Sequence, residues 1–194
     1  MQDYDSTAEY QAGEKVLRHG ISIKNFWGTP HDVFDHLDRE FDFDLDAAAE
    51  AASAKCKSWL GLDHPDPSRR NALAGPPWPG RRAFLNPPYS PDGGTIFRWV
   101  TRAYLEAQTK EHVVLLLPGT ADTDWALFCY EHADEIRFTP RIRFVDPMSG
   151  RVNPKGGSMV VVMRPEDSET YPLEPLERMA RVSFGYAPWK GGNR

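Results

Sequence analysis

The chain has 194 residues, a formal net charge of −5, 40% apolar and 26% charged residues, and a mean hydropathy of −0.57. These values predict one globular domain with a substantial core. No run approaches the length of a membrane span, and residues 1–20 lack the apolar core of a signal peptide. Cys56 and Cys129 lie far apart without paired spacing, so we expect no disulfide framework and no metal site, and a reducing cytoplasm.

The first ordered element is predicted to be a helix at about residues 30–39. Thr29 suits the N-cap and Pro30 suits the first helical position. Apolar residues then recur at helical spacing. Phe26 and Trp27 precede this helix, and the pattern alone leaves open whether they are ordinary core residues or line a ligand pocket.

Residues 41–46 alternate apolar and acidic side chains, which predicts a strand. The residues expected to share one face of it are Phe41, Phe43 and Leu45. The alanine-rich residues 47–54 predict a helix after it. Asp46 would then lie at the carboxyl end of a strand, where its carboxylate would either cap the next helix or bind a ligand. No Gly-x-Gly fingerprint of a dinucleotide site occurs here.

The rest of the chain alternates between strand and helix patterns. A short strand is predicted within residues 56–62, an irregular proline-rich loop at 63–80, and a strand at 83–85. A helix capped by Thr95 follows, with its inner face expected at Phe97, Val100, Tyr104 and Leu105. A strand covered on both faces is predicted at 112–117, a helix from about Asp122, and a hairpin formed by 136–144 and 158–163.

The strand at 83–85 runs into Asn86-Pro87-Pro88-Tyr89, which is chemically unusual. The two prolines fix φ and cannot donate backbone hydrogen bonds, so the strand ends there. The Asn86 side chain and the Pro87 carbonyl offer two acceptors, and Tyr89 adds an aromatic face. Such a turn is suited to bind a planar group that carries an NH2. Taken alone, it is equally compatible with an ordinary proline turn.

Charge is distributed unevenly along the chain. Residues 1–50 carry twelve acidic and four basic side chains, whereas residues 137–164 have a net charge of +5. Two further basic pairs are Arg69-Arg70 and Arg81-Arg82. A basic segment is either a solvated face or a surface that contacts phosphates.

The order of elements predicts a mainly parallel sheet flanked by helices, with an antiparallel hairpin at one edge. Asp46, residues 86–89 and residues 118–119 would then lie at the carboxyl ends of strands, along one edge of the sheet. This coincidence favours a functional interpretation of the Asn-Pro-Pro-Tyr turn.

Several ordered motifs carry a family resemblance. They are Trp27-x-Thr29-Pro30, Phe43-x-Leu45-Asp46-x-Ala48-Ala49, Lys55-Cys56, Gly61-Leu62, Asn86-Pro87-Pro88-Tyr89-Ser90, Leu115-Leu116-Leu117-Pro118 and Arg141-Ile142-Arg143-Phe144. Over roughly residues 26–164 the chain resembles the phage-type DNA N-6-adenine methyltransferases, the phage Dam family. The resemblance implies a Rossmann-like methyltransferase sheet within a domain at residues 23–165. Residues 1–22 are expected to form a mobile arm, and 166–194 a partly disordered extension.

The resemblance also implies roles for individual residues. The catalytic residues would be Asn86, Pro87, Pro88 and Tyr89. The residues expected to bind S-adenosylmethionine are Phe26, Trp27, Thr29, Pro30, Asp46, Ala47, Asp63, Asn86 and Pro118. The basic clusters described above, and not the resemblance, supply the residues expected to bind double-stranded DNA, which are Arg69, Arg70, Arg141, Arg143, Arg151 and Lys155. Many methyltransferases have a glycine-rich loop where this chain has Asp46-Ala47-Ala48-Ala49, a departure that bears on the cofactor contacts.

Three alternatives remain open at this stage. The same motif would suit a methyltransferase acting on an RNA base or on a glutamine side-chain amide. It would also occur in a non-catalytic DNA-binding relative that keeps the fold, or as a mere turn in a structural α/β domain. The sequence indicates neither a recognition site nor whether the protein is a monomer or a dimer. The expected location is the cytoplasm of a bacterial host.

Overall fold

The computed structural model describes residues 28–89, 94–145, 152–154 and 157–166, with further short strands at 9–11, 14–16 and 182–183. The helices are α1 (His31–Phe41), α2 (Gly94–Ala107) and α3 (Asp124–His132). The strands are β1 (Glu9–Gln11), β2 (Glu14–Val16), β3 (Leu45–Asp46), β4 (Ser58–Trp59), β5 (Arg82–Leu85), β6 (His112–Pro118), β7 (Glu135–Thr139), β8 (Arg143–Val145), β9 (Val152–Pro154), β10 (Ser158–Met163) and β11 (Val182–Ser183).

The centre of the fold is a seven-stranded sheet in the order β11-β7-β10-β6-β5-β3-β4. Strand β10 is antiparallel to both of its neighbours, and all other pairs are parallel. The predicted mostly parallel, Rossmann-like sheet is thus confirmed. The antiparallel hairpin is also present, but β10 lies between β6 and β7, and β11 covers β7. The hairpin is therefore not the outermost part of the sheet.

Strand β6 shows why the sheet has a core on each side. Its residues alternate between two buried clusters: Leu115 and Leu117 pack with α2 and α3, whereas Leu116 packs with α1. Every residue from 113 to 117 is fully buried. The prediction of a strand covered on both faces is confirmed, because each face carries helices that exclude water from it.

The predicted strand at residues 41–46 is wrong in most of its length. Helix α1 continues through Phe41 and ends at Asp42, whose φ of 47° is left-handed and whose N–H donates to the Asp38 carbonyl. Only Leu45–Asp46 forms a strand. Phe41 and Phe43 pack with the α1 cluster, whereas Leu45 belongs to the opposite one. Alternation alone did not reveal the helical end that interrupts it.

The alanine-rich residues 47–54 do not form the predicted helix. Their backbone groups bond elsewhere: Ala47 N–H donates to the carbonyl of Phe84, and Ala49 N–H donates to that of Leu60. These bonds extend the β3 ladder toward both of its neighbouring strands. High helix propensity is overridden because the strands on both sides supply the hydrogen-bond partners.

Two later predictions also need correction. Thr95 lies inside α2 and not before it, and Phe97 and Leu105 are 38% and 63% exposed. Val100 is buried as predicted, and Tyr104 is partly buried against the core. The rest of the buried face is formed by Ile96, Trp99, Ala103 and Ala107. The predicted strand at 136–144 is divided, because Pro140 has no N–H to donate. Strand β8 therefore pairs with β9 in a separate ribbon.

The proline-rich loop at residues 63–80 is irregular, as predicted, apart from a single 3-10 turn at Pro67–Arg69. It is anchored to α2 through the buried Trp78. The backbone N–H of Trp78 donates to the Glu106 carboxylate at 3.0 Å, and Lys110 Nζ donates to the Trp78 carbonyl at 2.7 Å. Arg102 also pairs with Glu106 at 2.7 Å, so the buried carboxylate has charged partners.

Candidate active site

The carboxyl ends of the three neighbouring strands β3, β5 and β6 lie at one edge of the sheet, here called the carboxyl edge. Strand β3 ends at Asp46, β5 runs directly into Asn86, and β6 ends at Pro118. In open α/β sheets this edge is the usual place for a ligand. The topology therefore brings the acidic residue and the proline turn to the same side of the molecule.

Asn86 is held at both ends of its side-chain amide. Its Nδ2 donates to Thr29 Oγ1 at 3.1 Å, and its Oδ1 lies 3.0 Å from the Tyr89 hydroxyl. That hydroxyl is also 2.9 Å from the carbonyl oxygen of Leu116. Burial raises the pKa of Tyr89 above its usual value, so the hydroxyl stays protonated and acts as a donor. The turn is thereby connected to strand β6 and to the segment before α1.

The geometry corrects the predicted N-cap of α1. The cap residue is Pro30, and no side chain makes a cap hydrogen bond there. The Thr29 side chain contacts Asn86 instead, and Thr29 is only 4% exposed. Thr29 therefore belongs to the site and not to the helix end.

A cleft of roughly 400 Å³, including its open mouth, lies beside this turn. Its polar lining residues are Thr29, Asp46, Ser53, Lys55 and Asn86. Its remaining walls are formed by Gly28, Ala48, Ala49, Phe84 and Pro88. Asn86 is thus shared between the cleft and the Asn-Pro-Pro-Tyr turn.

Asp46 is a buried carboxylate, only 3% exposed. Its Oδ2 accepts from the Lys55 N–H at 3.0 Å and its Oδ1 from the Ala48 N–H at 3.4 Å. Burial raises the pKa of Asp46 to about 6, although these two bonds and the Lys55 charge act in the opposite direction. Burial also lowers the pKa of the Lys55 ammonium. One cleft therefore contains an anionic and a cationic group that water solvates poorly.

The cleft includes some of the expected cofactor residues and not others. Thr29, Asp46 and Asn86 line it. Pro30 caps α1 outside the lining, and Ala47 is buried in the core. Pro118, which pairs with Ser158, is also outside the lining. Phe26 and Trp27 lie outside the described residues.

Asp63, which was also expected to bind the cofactor, makes a different contact. Its two carboxylate oxygens accept from the Ala51 N–H at 3.2 and 3.1 Å. Asp63 is exposed and does not line the cleft. It ties down the loop at 47–54 and in this way supports the cleft wall.

Sequence reasoning missed several lining residues, among them Gly28, Ser53 and Lys55. Lys55 has a signal in the sequence, since Lys55-Cys56 is one of the elements that carry the family resemblance. Ser53 has none, because the predicted helix would have placed it differently. Its hydroxyl is 3.2 Å from the Glu50 N–H and closes the turn.

The four predicted DNA-binding arginines that the structure describes fall into two groups. Arg69 donates to Ser58 Oγ at 3.2 Å, and Arg70 donates to the His64 carbonyl at 2.7 Å, so both are engaged in holding the loop. Arg141 and Arg143 are exposed, because the alternate residues Ile142 and Phe144 point into the α1 cluster. Arg151 and Lys155 lie outside the described residues.

Arg137, the first residue of the basic segment, is not available for phosphates in this structure. It pairs with Glu40 at 2.6 Å and with Glu135 at 2.6 Å, and its guanidinium lies over the Phe41 ring. This arrangement lowers the pKa of Glu40. The basic segment therefore has fewer cationic side chains available to contact phosphates than its composition predicts.

Cys129 is buried and Cys56 is partly buried, and both are free thiols. Among the described residues, no three His, Cys, Asp or Glu side chains come close enough to hold a metal ion. Within the same part of the chain, every helix is too short or too polar to cross a membrane.

The fold and the site together define the class: an α/β protein of the Rossmann-like methyltransferase type, with Asn-Pro-Pro-Tyr at the carboxyl edge of its sheet. A family model described as DNA N-6-adenine-methyltransferase (Dam) matches residues 19–185. The chain is also 30% identical over 151 residues to the DNA N-6-adenine-methyltransferase of Haemophilus phage HP1 (strain HP1c1), covering 75% of this chain and 82% of that protein. The chain belongs to the DNA N-6-adenine-methyltransferase (Dam) family, a family of adenine-specific DNA methyltransferases.

Proposed function

We propose that this enzyme transfers a methyl group from S-adenosylmethionine to the exocyclic N6 amine of an adenine flipped out of double-stranded DNA, in the cytoplasm of a bacterial host. The observation that carries the proposal is the position of Asn86. This residue belongs to the Asn-Pro-Pro-Tyr turn and is also one of the residues that line the cleft, together with Asp46 and Lys55. A base amine at the turn would therefore lie beside a ligand in the cleft.

The residues of the cleft suit the amino-acid end of S-adenosylmethionine. The Asp46 carboxylate is complementary to an α-ammonium group, and the Lys55 ammonium to an α-carboxylate. A bound ammonium would also offset the burial that raises the pKa of Asp46. When bound, the cofactor supplies a methyl group on a positively charged sulfur, which is already activated for transfer.

The turn residues would bind and orient the acceptor amine. Asn86 Oδ1 and the Pro87 carbonyl oxygen are hydrogen-bond acceptors, and two acceptors match the two protons of an adenine amine. Pro87 and Pro88 bring no N–H that would compete for those oxygens. Holding the reacting groups in line and away from water contributes several kcal/mol toward lowering the barrier.

A base inside a duplex does not reach a recessed site, so the adenine must leave the stack. The Tyr89 ring lies next to Asn86 and offers a face on which such a base would stack. Arg141 and Arg143 follow the carboxyl end of β7, which lies at the same edge of the sheet as that of β6 because Ser158 pairs with both Thr139 and Pro118. These two exposed arginines are the described residues best placed to contact the DNA backbone.

The direct test is to incubate the purified protein with labelled S-adenosylmethionine and unmethylated duplex DNA, and then to digest the DNA and identify the labelled nucleoside. We expect the labelled nucleoside to be N6-methyl-2′-deoxyadenosine. Single-stranded RNA and a glutamine-containing peptide should carry no label under the same conditions. The Asn86→Ala variant serves as the catalytic control.

The alternatives are distinguished by the same experiment. Label on RNA or peptide but not on DNA would contradict the proposed substrate and favour one of those methyltransferases. DNA binding without any binding of S-adenosylmethionine would favour a non-catalytic relative. The proposed division into an arm at 1–22, a methyltransferase domain at 23–165 and an extension at 166–194 stays a prediction, testable by limited proteolysis.

A further inference from the structure

The contact between Thr29 and Asn86 joins residues that are 57 positions apart in the chain. Thr29 Oγ1 accepts from Asn86 Nδ2 at 3.1 Å, and the Thr29 residue is only 4% exposed. A side-chain bond between two such distant residues is not required by any local element. The helix that starts after Thr29 has Pro30 as its cap, so this hydroxyl has no capping role.

An asparagine side chain needs such a contact to keep one orientation. Its terminal torsion has a broad energy profile, and the amide has chemically different ends, one a donor and one an acceptor. In this structure the NH2 end is held by Thr29 and the oxygen end lies near Tyr89. Losing the Thr29 hydroxyl would leave the amide with one fewer of these two restraints.

We propose that Thr29 is a positioning residue for the methyl transfer: its hydroxyl holds the Asn86 amide so that Oδ1, and not Nδ2, faces the acceptor amine. Acceptor oxygens must be placed within about 0.5 Å of the productive geometry to be effective. The inference rests on the proposed function for its catalytic consequence, but the contact itself is testable without any reaction.

Two variants separate this role from a contact with the cofactor, since Thr29 lines the same cleft. Thr29→Val keeps the shape but removes the hydroxyl, and Thr29→Ser keeps the hydroxyl. Thr101→Val is the matched control, because the Thr101 hydroxyl bonds only to helix carbonyls of Phe97 and Arg98 among the contacts of the described residues.

The first readout is kinetic. We expect Thr29→Val to lower kcat by about 10- to 100-fold, as a displaced reacting group does, with KM for DNA changed less than about threefold. Thr29→Ser should restore most of kcat, and Thr101→Val should leave it unchanged. The affinity for S-adenosylhomocysteine, measured by calorimetry, should change less than about threefold in Thr29→Val.

The second readout is the exchange of side-chain amide protons with solvent, measured by NMR spectroscopy. The Asn86 side-chain NH2 signals are assigned as those missing from the Asn86→Ala spectrum, and their exchange with solvent is compared between wild type and Thr29→Val. Faster exchange of the Asn86 NH2 protons in Thr29→Val supports the contact, and an unchanged exchange rate overturns it. A loss of S-adenosylhomocysteine affinity that accounts for the whole loss of activity would make Thr29 a cofactor-binding residue and overturn the positioning role. If the wild type transfers no methyl to duplex DNA, the proposed function fails, whereas the amide signals still decide the contact.

Discussion

The Tyr89 hydroxyl lies 2.9 Å from the carbonyl oxygen of Leu116 in the neighbouring strand β6. The same hydroxyl is 3.0 Å from Asn86 Oδ1, so its single proton has two alternative acceptors. If a substrate amine binds Asn86 Oδ1 as proposed, the Leu116 carbonyl would still accept the Tyr89 proton. The tyrosine would thereby keep its orientation while Asn86 Oδ1 changes partner.

Substitutions at Tyr89 should separate its hydroxyl from its ring. Tyr89→Phe keeps the ring but loses the hydrogen bond, which is worth about 0.5–1.5 kcal/mol, so methyl transfer should slow by about 2- to 13-fold. Tyr89→Ala also removes the stacking surface, worth about 1–3 kcal/mol per base, and should be far slower. Single-turnover transfer to duplex DNA measures both. Equal rates in the two variants would contradict a stacking role for the ring.

Replacement of Asn86 should abolish activity without unfolding the protein. Asn86→Ala removes the acceptor oxygen but leaves the partly exposed turn otherwise intact, so we expect most activity to be lost and the Tm to fall by less than about 4 °C. Asn71→Ala is the control, since Asn71 caps a turn through the Ala74 N–H far along the proline-rich loop. Undiminished methylation by a folded Asn86→Ala protein would exclude Asn86 from catalysis.

Asp46→Asn should remove a pH dependence of stability while weakening cofactor binding. Because burial raises the pKa of Asp46 from 3.8 to about 6, the stability that the neutral acid contributes is present below pH 3.8 and is lost as the pH rises through 6. The loss amounts to about 3 kcal/mol above pH 7. The asparagine side chain of the variant stays uncharged at every pH, so the variant does not undergo this loss of stability.

Denaturant unfolding of the wild type and Asp46→Asn between pH 4.5 and 8 measures this difference. The free energy of unfolding of the variant minus that of the wild type should rise with pH, whereas the affinity of the variant for S-adenosylhomocysteine should be lower than that of the wild type at pH 8. A difference in stability that is constant with pH would mean that Asp46 is not the titrating group. Undiminished affinity would exclude its carboxylate from the cofactor site.

Arg141 and Arg143 should account for part of the salt dependence of DNA binding. If each contacts one phosphate, Arg141→Ala/Arg143→Ala should reduce the slope of log K against log salt concentration by about 1.8. The control is Arg39→Ala/Arg81→Ala, which removes the same charge from the opposite edge of the sheet, where α1 ends and β5 begins. Equal slopes for both double variants would indicate a general charge effect and not a defined contact.

Gly61 should not tolerate a side chain. A Cβ added there would lie 1.6 Å from the carbonyl oxygen of Ala49, which is backbone of the cleft wall. Overpacking of this kind costs about 1–3 kcal/mol, and displacing Ala49 should also weaken S-adenosylhomocysteine binding. Gly157→Ala is the matched control, because its nearest contact would be an ordinary 3.7 Å. Melting curves and calorimetry compare the two, and equal stability would contradict the close approach.

The sequence by itself determined the parts of this protein that local rules govern. The apolar run of β6 is long enough and continuous enough to predict a strand buried on both faces, and the structure confirms it. Two successive prolines end β5 and define the turn at Asn86, because they fix φ and remove two backbone donors. The alternation of strands and helices then predicts one shared carboxyl edge.

Only the tertiary structure decided how the site is built around that turn. The alanine-rich loop after Asp46 is not a helix because the carbonyls of Phe84 and Leu60 and the buried Asp46 carboxylate accept from its N–H groups. Arg137 is engaged by Glu40, which is 97 residues away, and Thr29 contacts Asn86 across 57 residues. Local propensity depends on neighbours a few positions apart, whereas these contacts depend on which distant residues the folded sheet brings within hydrogen-bond distance.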